Sequence, residues 1–402
     1  MKYIERTDYL NWLLRWKGQQ IIKVITGVRR CGKSTLFDIF QSHLIANGTS
    51  PEQIITINFE NLDFEDLTDY KALYRYVNER LLPDRMNYIF LDEIEHVQHY
   101  EKAVDSLFLK NNCDLYITGS NGYLLSSELA TYLTGRYVAL SMQPLSFKEF
   151  CSGLSDSALS LNEKFNRYLR FGSFPYTLRY GSSLEETQEY LRGIYNTVLL
   201  NDIVGRLGVS DVNMLEAITR FLMHNIGNRT SPTTIANTMT SNKMKIDGKT
   251  VDRYLRGLTD SLLFYKARRY NIKGKKLLTS MNKYYVCDLA MRSLLVRTHD
   301  SDIGHILENV IYLELKRRYS DVYIGQNDAT DEVDFVVFDN GTPSYYQVAQ
   351  TTLDENVLKR ELAPLRKIKD NNPKYLLTLD EVFGEMNYDG IIKTNALNWL
   401  LA

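Results

Sequence analysis

The chain of 402 residues has no uninterrupted apolar run approaching the roughly 18 residues that cross a bilayer, and its opening stretch MKYIERTDYL is charged where a secretion signal carries an apolar core. Cysteine is scarce: Cys31, Cys113, Cys151 and Cys287 lie far apart without paired spacing, which fits neither a disulfide framework nor a zinc site. They are expected to be reduced and structural, in a cytoplasmic protein with no membrane partner. Charge of one sign is missing as well, since 48 Lys and Arg face 49 Asp and Glu. No whole-molecule field therefore draws the chain onto nucleic acid or an anionic membrane, and any polyanion contact must be local. What is present is 44% hydrophobic and 24% charged residues, a globular composition, in a length that suggests about two or three domains.

In IIKVITGVRRCGKSTLFDIF an apolar strand over Ile21 to Ile25 leads into Gly27, Val28, Arg29, Arg30, Cys31, Gly32, Lys33, Ser34 and Thr35, followed by a helix-forming run. This is a phosphate-binding loop in its required setting of strand, loop and helix. The glycines let successive N–H groups turn inward around phosphate oxygens, Lys33 reaches the β- and γ-phosphates, and the Ser34 hydroxyl is a ligand for Mg²⁺. About 60 residues later, NYIFLDEI reads as a buried parallel strand with Asp92 at its carboxyl end for the metal and Glu93 placed to polarise water. ATP and Mg²⁺ are the cofactors this pair of motifs requires. Taken alone, the two acids also suit the start of a helix.

The ordered set GVRRCGKST, YIFLDEI, ITGSN, LTGRY, PLSFKEF and FGSFP resembles a widespread bacterial and archaeal family of AAA-superfamily P-loop ATPases. In that family the ATPase core is followed by a winged helix and a domain resembling the PD-(D/E)XK restriction-endonuclease fold. The resemblance implies an α/β P-loop ATPase core over residues 1–150, a helical lid over 151–210, a winged helix over 211–300 and a nuclease-like α/β domain over 301–402. It implies ATP hydrolysis and a sensor at the tip of the strand CDLYIT, where Asn121 or Ser120 stands; an ordinary Ser-Asn-Gly turn is an equal reading. Arg136 matches the family's Gly-Arg position, either as an arginine finger for a neighbouring subunit or as an in-chain salt bridge. The finger makes a homo-oligomer the expected assembly, with a hexameric ring as one form. Pro175, in the lid, fixes a backbone bend.

From Met214 the pattern changes to short helices. In DGKTVDRYLRGLTDSLLF, with Thr250 as the expected N-cap, Val251, Leu255 and Leu258 share one face, while Lys249, Arg253 and Arg256 share another. A hairpin candidate follows, turning at Lys273 and Gly274 and carrying Lys266, Arg268, Arg269, Lys273, Lys275 and Lys276. A basic helix followed by a basic hairpin is what a winged helix offers to DNA, helix to groove and wing to phosphates, although winged helices also bind proteins.

In the last hundred or so residues, GHILENVIYLELKRRY is helical, DVYIG, EVDFVVF and SYYQVAQ are strands, DENVLKRELAPLRKIKD is a helix and KYLLTL a closing strand. The order resembles the nuclease fold, with Glu308 on the helix and Asp334 on the first acidic strand. Catalysis there needs two or three carboxylates for the metal and a lysine. Here Gln347 and Ala349 stand at the next two positions, and only Lys359, one helix later, offers a displaced lysine. A nuclease-like scaffold without nuclease activity is expected, with Asp334 and Glu332 structural.

The leading functional reading is an ATP-hydrolysing protein that binds or remodels duplex or branched DNA. A second is a nucleotide-switched signalling or defence ATPase whose winged helix contacts protein. A third, an ATP-dependent nuclease, is opposed by Ala349.

Overall fold

The computed structural model describes residues 4–120, 122, 124, 133, 135–154, 158–181, 183–297, 302–327, 331–381 and 385–402, which divide into two compact units. Residues 1–144 with 260–262 form the first, and 145–259 with 263–402 the second. Among the described residues no helix is long and apolar enough to cross a membrane.

The first unit opens with α1 (Thr7–Trp16), then β1 (Ile22–Gly27), α2 (Lys33–Ala46), β2 (Ile54–Asn58), α3 (Tyr70–Arg80), β3 (Asn87–Asp92), α4 (Tyr100–Phe108), β4 (Cys113–Gly119) and β5 (Tyr137–Met142). The strands make one sheet in the order β2-β3-β4-β1-β5, parallel throughout. β1, β3 and β4 are buried along their whole lengths, as expected of parallel strands covered on both faces. Phe37 of α2 packs edge-on against Phe90 of β3 at 5.0 Å, and Phe90 stacks on Tyr116 of β4 at 4.8 Å. These rings seat the helix that follows the phosphate-binding loop on the strands that carry the acids.

The second unit begins with α5 (Phe147–Gly153), α6 (Leu161–Phe171) and α7 (Leu184–Thr197), which runs on into a π-helical segment, Val198–Gly205. Then come α8 (Val212–His224), α9 (Pro232–Ser241), α10 (Gly248–Asp260), and the hairpin β6 (Phe264–Asn271) and β7 (Lys276–Val286). α11 (Leu289–Ser293), α12 (Ile303–Arg318), β8 (Val322–Gln326), β9 (Glu332–Asp339), β10 (Thr342–Ala349), α13 (Glu355–Arg366), β11 (Lys374–Thr378), β12 (Met386–Tyr388), β13 (Ile391–Asn395) and α14 (Ala396–Leu401) complete it. β12, β13 and α14 had no counterpart in the sequence reading.

Two expected boundaries differ from this architecture. Leu145 donates its N–H to Ser173 O at 2.7 Å and belongs to the second unit, so the first compact unit ends at residue 144 rather than 150. The eight-stranded sheet runs β12-β13-β11-β10-β9-β8-β6-β7 across the boundary expected at 300 and includes the hairpin assigned to a winged helix. The physical reason is edge satisfaction: Arg269–Asn271 of β6 pair in parallel with Ile324–Gln326 of β8, covering backbone groups that an isolated wing leaves bare.

Candidate functional site

Gly27 ends β1, and a side chain there would stand 2.5 Å from Met142 O, so only glycine lets β1 and β5 approach this closely. The loop then takes left-handed turns at Arg30 (φ 66°) and Gly32 (φ 108°), an alternation that points successive N–H groups to one side. Val28 and Cys31 are buried, Thr35 is half-buried, and Ser34 and Arg30 face solvent. Arg29 pairs with Glu60 at 3.1 Å.

Lys33 is buried; its ammonium donates to Gly27 O at 3.0 Å and lies 3.1 Å from Glu93 Oε1. Burial works against the charge, but the Glu93 carboxylate beside it holds the Lys33 pKa above its ordinary value. Glu93 itself has left-handed backbone (φ 54°), uncommon for a residue with a Cβ and a form of local strain that gathers at functional sites. Its N–H donates to the Thr118 hydroxyl at 2.9 Å, and its buried Oε2 has no hydrogen-bond partner among the described residues. Burial raises the Asp92 pKa, opposed by hydrogen bonds from the hydroxyls of Ser34 and Thr118. Asn58 Nδ2 donates to its other oxygen at 3.2 Å.

Strand order explains this meeting. β4 lies between β1 and β3, so Thr118 at its carboxyl end reaches the acids of β3, while Asn58 of β2 is in register with Asp92 from the other side. The donor set fits Mg²⁺, which binds through one or two protein oxygens while phosphates and waters complete its octahedron. Ser34 and Asp92 would hold it, and it would supply charge neutralisation on the triphosphate.

Ser120, one of the two sensor candidates, is buried and holds Glu95 through its N–H at 3.1 Å and its hydroxyl at 3.0 Å. Asn121, the other, lies outside the described residues. Thr118, Asn58 and Glu95 were not singled out from the sequence, because their roles depend on strand order. Arg136 is at the opposite end of the sheet. Its carbonyl accepts from Ile22 N at the start of β1, about 16 Å of strand from Gly27, and its guanidinium is ion-paired with Asp105.

In the second unit, α10 exposes Lys249, Arg253 and Arg256, with Arg256 paired to Asp252 at 2.6 Å. The N-cap is Asp247, which accepts from Lys249 N and Thr250 N, rather than Thr250. Lys243 and Lys245, exposed in the turn before α10, were missed because they precede the helical pattern. On the hairpin, Lys266, Arg268, Lys273, Lys275 and Lys276 are exposed, but Arg269 is not. It points to the other face, where its guanidinium donates to Ser280 O at 3.3 Å, because alternate residues of a strand face opposite ways.

The elements expected to be nuclease-like bring Glu308 of α12, Asp334 of β9 and Gln347 of β10 together, and a lysine with them. Lys283 of β7, buried, lies 2.8 Å from Glu308 Oε1 and 2.7 Å from Glu332 Oε1. Lys359, the expected displaced lysine, is instead an exposed partner of Glu355 at 2.8 Å. Tyr285 donates to Glu308 at 2.6 Å, Val348 N–H to Asp334 at 2.8 Å, and Gln347 Nε2 to Glu361 at 3.0 Å. Burial would raise the Glu308 pKa, but Lys283 pulls it down to about 2; burial and the neighbouring Glu308 push Asp334 well above the usual carboxylate range. Ala349 closes β10 and is buried. Among the described residues no three acidic, His or Cys side chains converge in a metal-holding group.

Gly172 of FGSFP has φ 81°, and a Cβ there would stand 2.8 Å from Asp288 Oδ2, which accepts the N–H and hydroxyl of Ser173. The motif is thus a packed corner inside the second unit.

Residues 19–151 match the model of an AAA domain, and residues 162–302 match that of a domain of unknown function, DUF8612. An uncharacterized protein of Haemophilus influenzae is 36% identical over 99% of this chain and 98% of its own length. An uncharacterized protein of Methanocaldococcus jannaschii is 28% identical over 92% and 84%. The Walker-type ATPase of Pyrococcus abyssi shares the fold at a TM-score of 0.52 and 15% identity, covering 73% of this chain and 96% of that one.

Proposed function

We propose that this chain, which belongs to the same family as the Haemophilus influenzae protein, is a Mg²⁺-dependent ATP hydrolase that binds or remodels duplex or branched DNA. The observation that carries the hydrolase is the meeting of Lys33, Ser34, Asp92, Glu93 and Thr118 at the carboxyl end of one parallel sheet. Loop N–H groups and Lys33 take the phosphates, Ser34 and Asp92 hold the metal, and Glu93 orients the attacking water through a carboxylate oxygen that is buried and unpartnered. The distance of Arg136 from its own loop leaves two roles, the in-chain salt bridge that its pairing with Asp105 supports and action on a neighbouring subunit's γ-phosphate in a homo-oligomeric ring.

DNA as partner is supported by Lys249, Arg253 and Arg256, exposed on α10, by Lys243 and Lys245, exposed in the turn before it, and by the exposed lysines of the hairpin turn. The order α8, α9, α10, hairpin, with Thr230 bridged to Asn282, supports reading this segment as a winged helix. One observation favours the alternative of a nucleotide-switched ATPase whose winged helix grips protein: the hairpin is built into the eight-stranded sheet. The nuclease-like centre is inert in this reading, because Lys283 and Arg229 pair with Glu308 and Glu332 while Gln347 and Asp334 are engaged by other groups.

The deciding experiment is the ATPase rate against single-stranded, duplex, forked and four-way DNA, beside a mass measurement with ATP present. Stimulation of several-fold is expected. Indifference to DNA with tightly retained nucleotide selects the alternative, and Mg²⁺- or Mn²⁺-dependent cleavage lost on Asp334→Ala overturns the inert centre.

A further inference from the structure

Arg6, which precedes α1 in the first unit, is a charged side chain buried to 4% exposure far in sequence from any motif. Its Nη1 donates to Cys31 O at 3.1 Å, inside the phosphate-binding loop, and its Nη2 donates to Gln143 O at 2.9 Å and Pro144 O at 3.4 Å, just past β5. The guanidinium lies over the Tyr9 ring at 4.7 Å, and the Tyr9 hydroxyl accepts from Gln143 N at 3.2 Å. One planar fork thus joins the loop to the strand beside it, and its orientation is fixed by the ring beneath.

The consequence follows from peptide geometry. No peptide bond among the described residues is cis, so across the Cys31–Gly32 plane the carbonyl and the N–H point in opposite directions. Anchoring Cys31 O on Arg6 turns the Gly32 N–H the other way, away from the guanidinium. The Met142 carbonyl limits the loop at its other end, through the missing side chain of Gly27.

We propose that Arg6 is a positioning residue of the nucleotide site, holding the loop in the form that receives phosphate without touching the nucleotide. The inference rests on the ATP-binding reading above. It assigns Arg6 to affinity and leaves the chemical step to Glu93 and Thr118. Lysine, with one point donor, can hold one of the carbonyls but not bridge them.

The test titrates Mg²⁺–ATP and Mg²⁺–ADP calorimetrically into the full-length wild-type, Arg6→Lys and Arg6→Ala proteins, with steady-state ATPase kinetics and thermal melting of each. Arg6→Ala is expected to raise Kd and KM about tenfold with kcat within about twofold, and Arg6→Lys to fall between the two, since hydrogen bonds from a charged donor are the strong ones. A purely structural residue would lower the folded fraction, and so the apparent kcat, at constant KM. A folded Arg6→Ala protein with unchanged Kd, or a kcat loss at constant KM, overturns the assignment. If Arg6→Ala does not fold, Arg6→Lys decides by the same split. A folded wild type that binds neither nucleotide sinks the ATP-binding reading and this inference with it.

Discussion

Asp92 is held by side chains from three elements, Ser34, Asn58 and Thr118, before any metal arrives. Removing the Thr118 hydroxyl as Thr118→Val is expected to lower kcat about tenfold or more, the loss of one hydrogen bond to a charged group, with ATP affinity within about threefold. Glu93→Gln is expected to bind ATP and barely turn over, and Lys33→Ala to lose binding; nucleotide retention and phosphate release check both. Asp380, at the end of β11, gives a pH prediction. Burial would raise its pKa, but Lys393 and the hydroxyls and N–H of Thr351 and Thr352 bring it down to about 2. A depressed carboxylate contributes stability above its unfolded pKa of about 3.9 and loses it as pH falls toward the folded value. Asp380→Asn is therefore expected to lower stability by about 2 kcal/mol at neutral pH and to flatten acid unfolding between about pH 4 and 2, read by melting against pH. At this scale the sequence reading was strongest where chemistry is contiguous. The loop from Gly27 to Thr35 and the pair Asp92–Glu93 each bring their own context, whereas Thr118, Asn58 and Arg6 act only once strand order has been set.

Elements carry information that no single motif holds. β4 inserted between β1 and β3 turns an unremarked threonine into a neighbour of two acids. The β6–β7 hairpin was legible as a hairpin from its turn and its alternating residues, yet its membership of the larger sheet was not, because pairing with β8 is a contact across more than fifty residues. The same long reach hid Lys283, whose value depends on α12 and β9. Lys283→Met is expected to destabilise the second unit by about 3–5 kcal/mol by leaving the buried Glu308 without its ammonium partner, while Glu332 keeps Arg229, and Lys283→Met with Glu308→Gln to recover much of that loss, as thermal melts can read. If the single variant melts unchanged, the buried pair is not what holds these elements. Gly172→Ala is expected to separate Ser173 from Asp288, lowering the melting temperature of the same unit without a change in nucleotide Kd.

For the molecule as a whole, near-neutral charge means that the proposed DNA affinity would have to come from the exposed cations of α10 and the hairpin turn. If about four phosphates are neutralised there, log affinity falls with log salt at a slope of about −3.6, and affinity that is flat across ionic strength removes DNA from the account. Assembly has a separate signature. Arg136→Ala and Glu93→Gln proteins, each nearly inactive alone, are expected to regain measurable hydrolysis when mixed, because one interface then has both a sound acid and a sound guanidinium. No recovery in mixed complexes of proven stoichiometry would confine Arg136 to its bond with Asp105.

The pairing of Lys33 with Glu93 has a consequence for how the site is filled. An ammonium in open water must shed its hydration shell before it can grip an anion, and that shedding opposes binding. Lys33 is buried against a neighbouring carboxylate, so on the proposed reading an incoming triphosphate would replace one anionic companion of a buried cation with another. On that reading the same exchange would free the Glu93 carboxylate when a γ-phosphate is there for its water to attack, so that filling the site would also arm it.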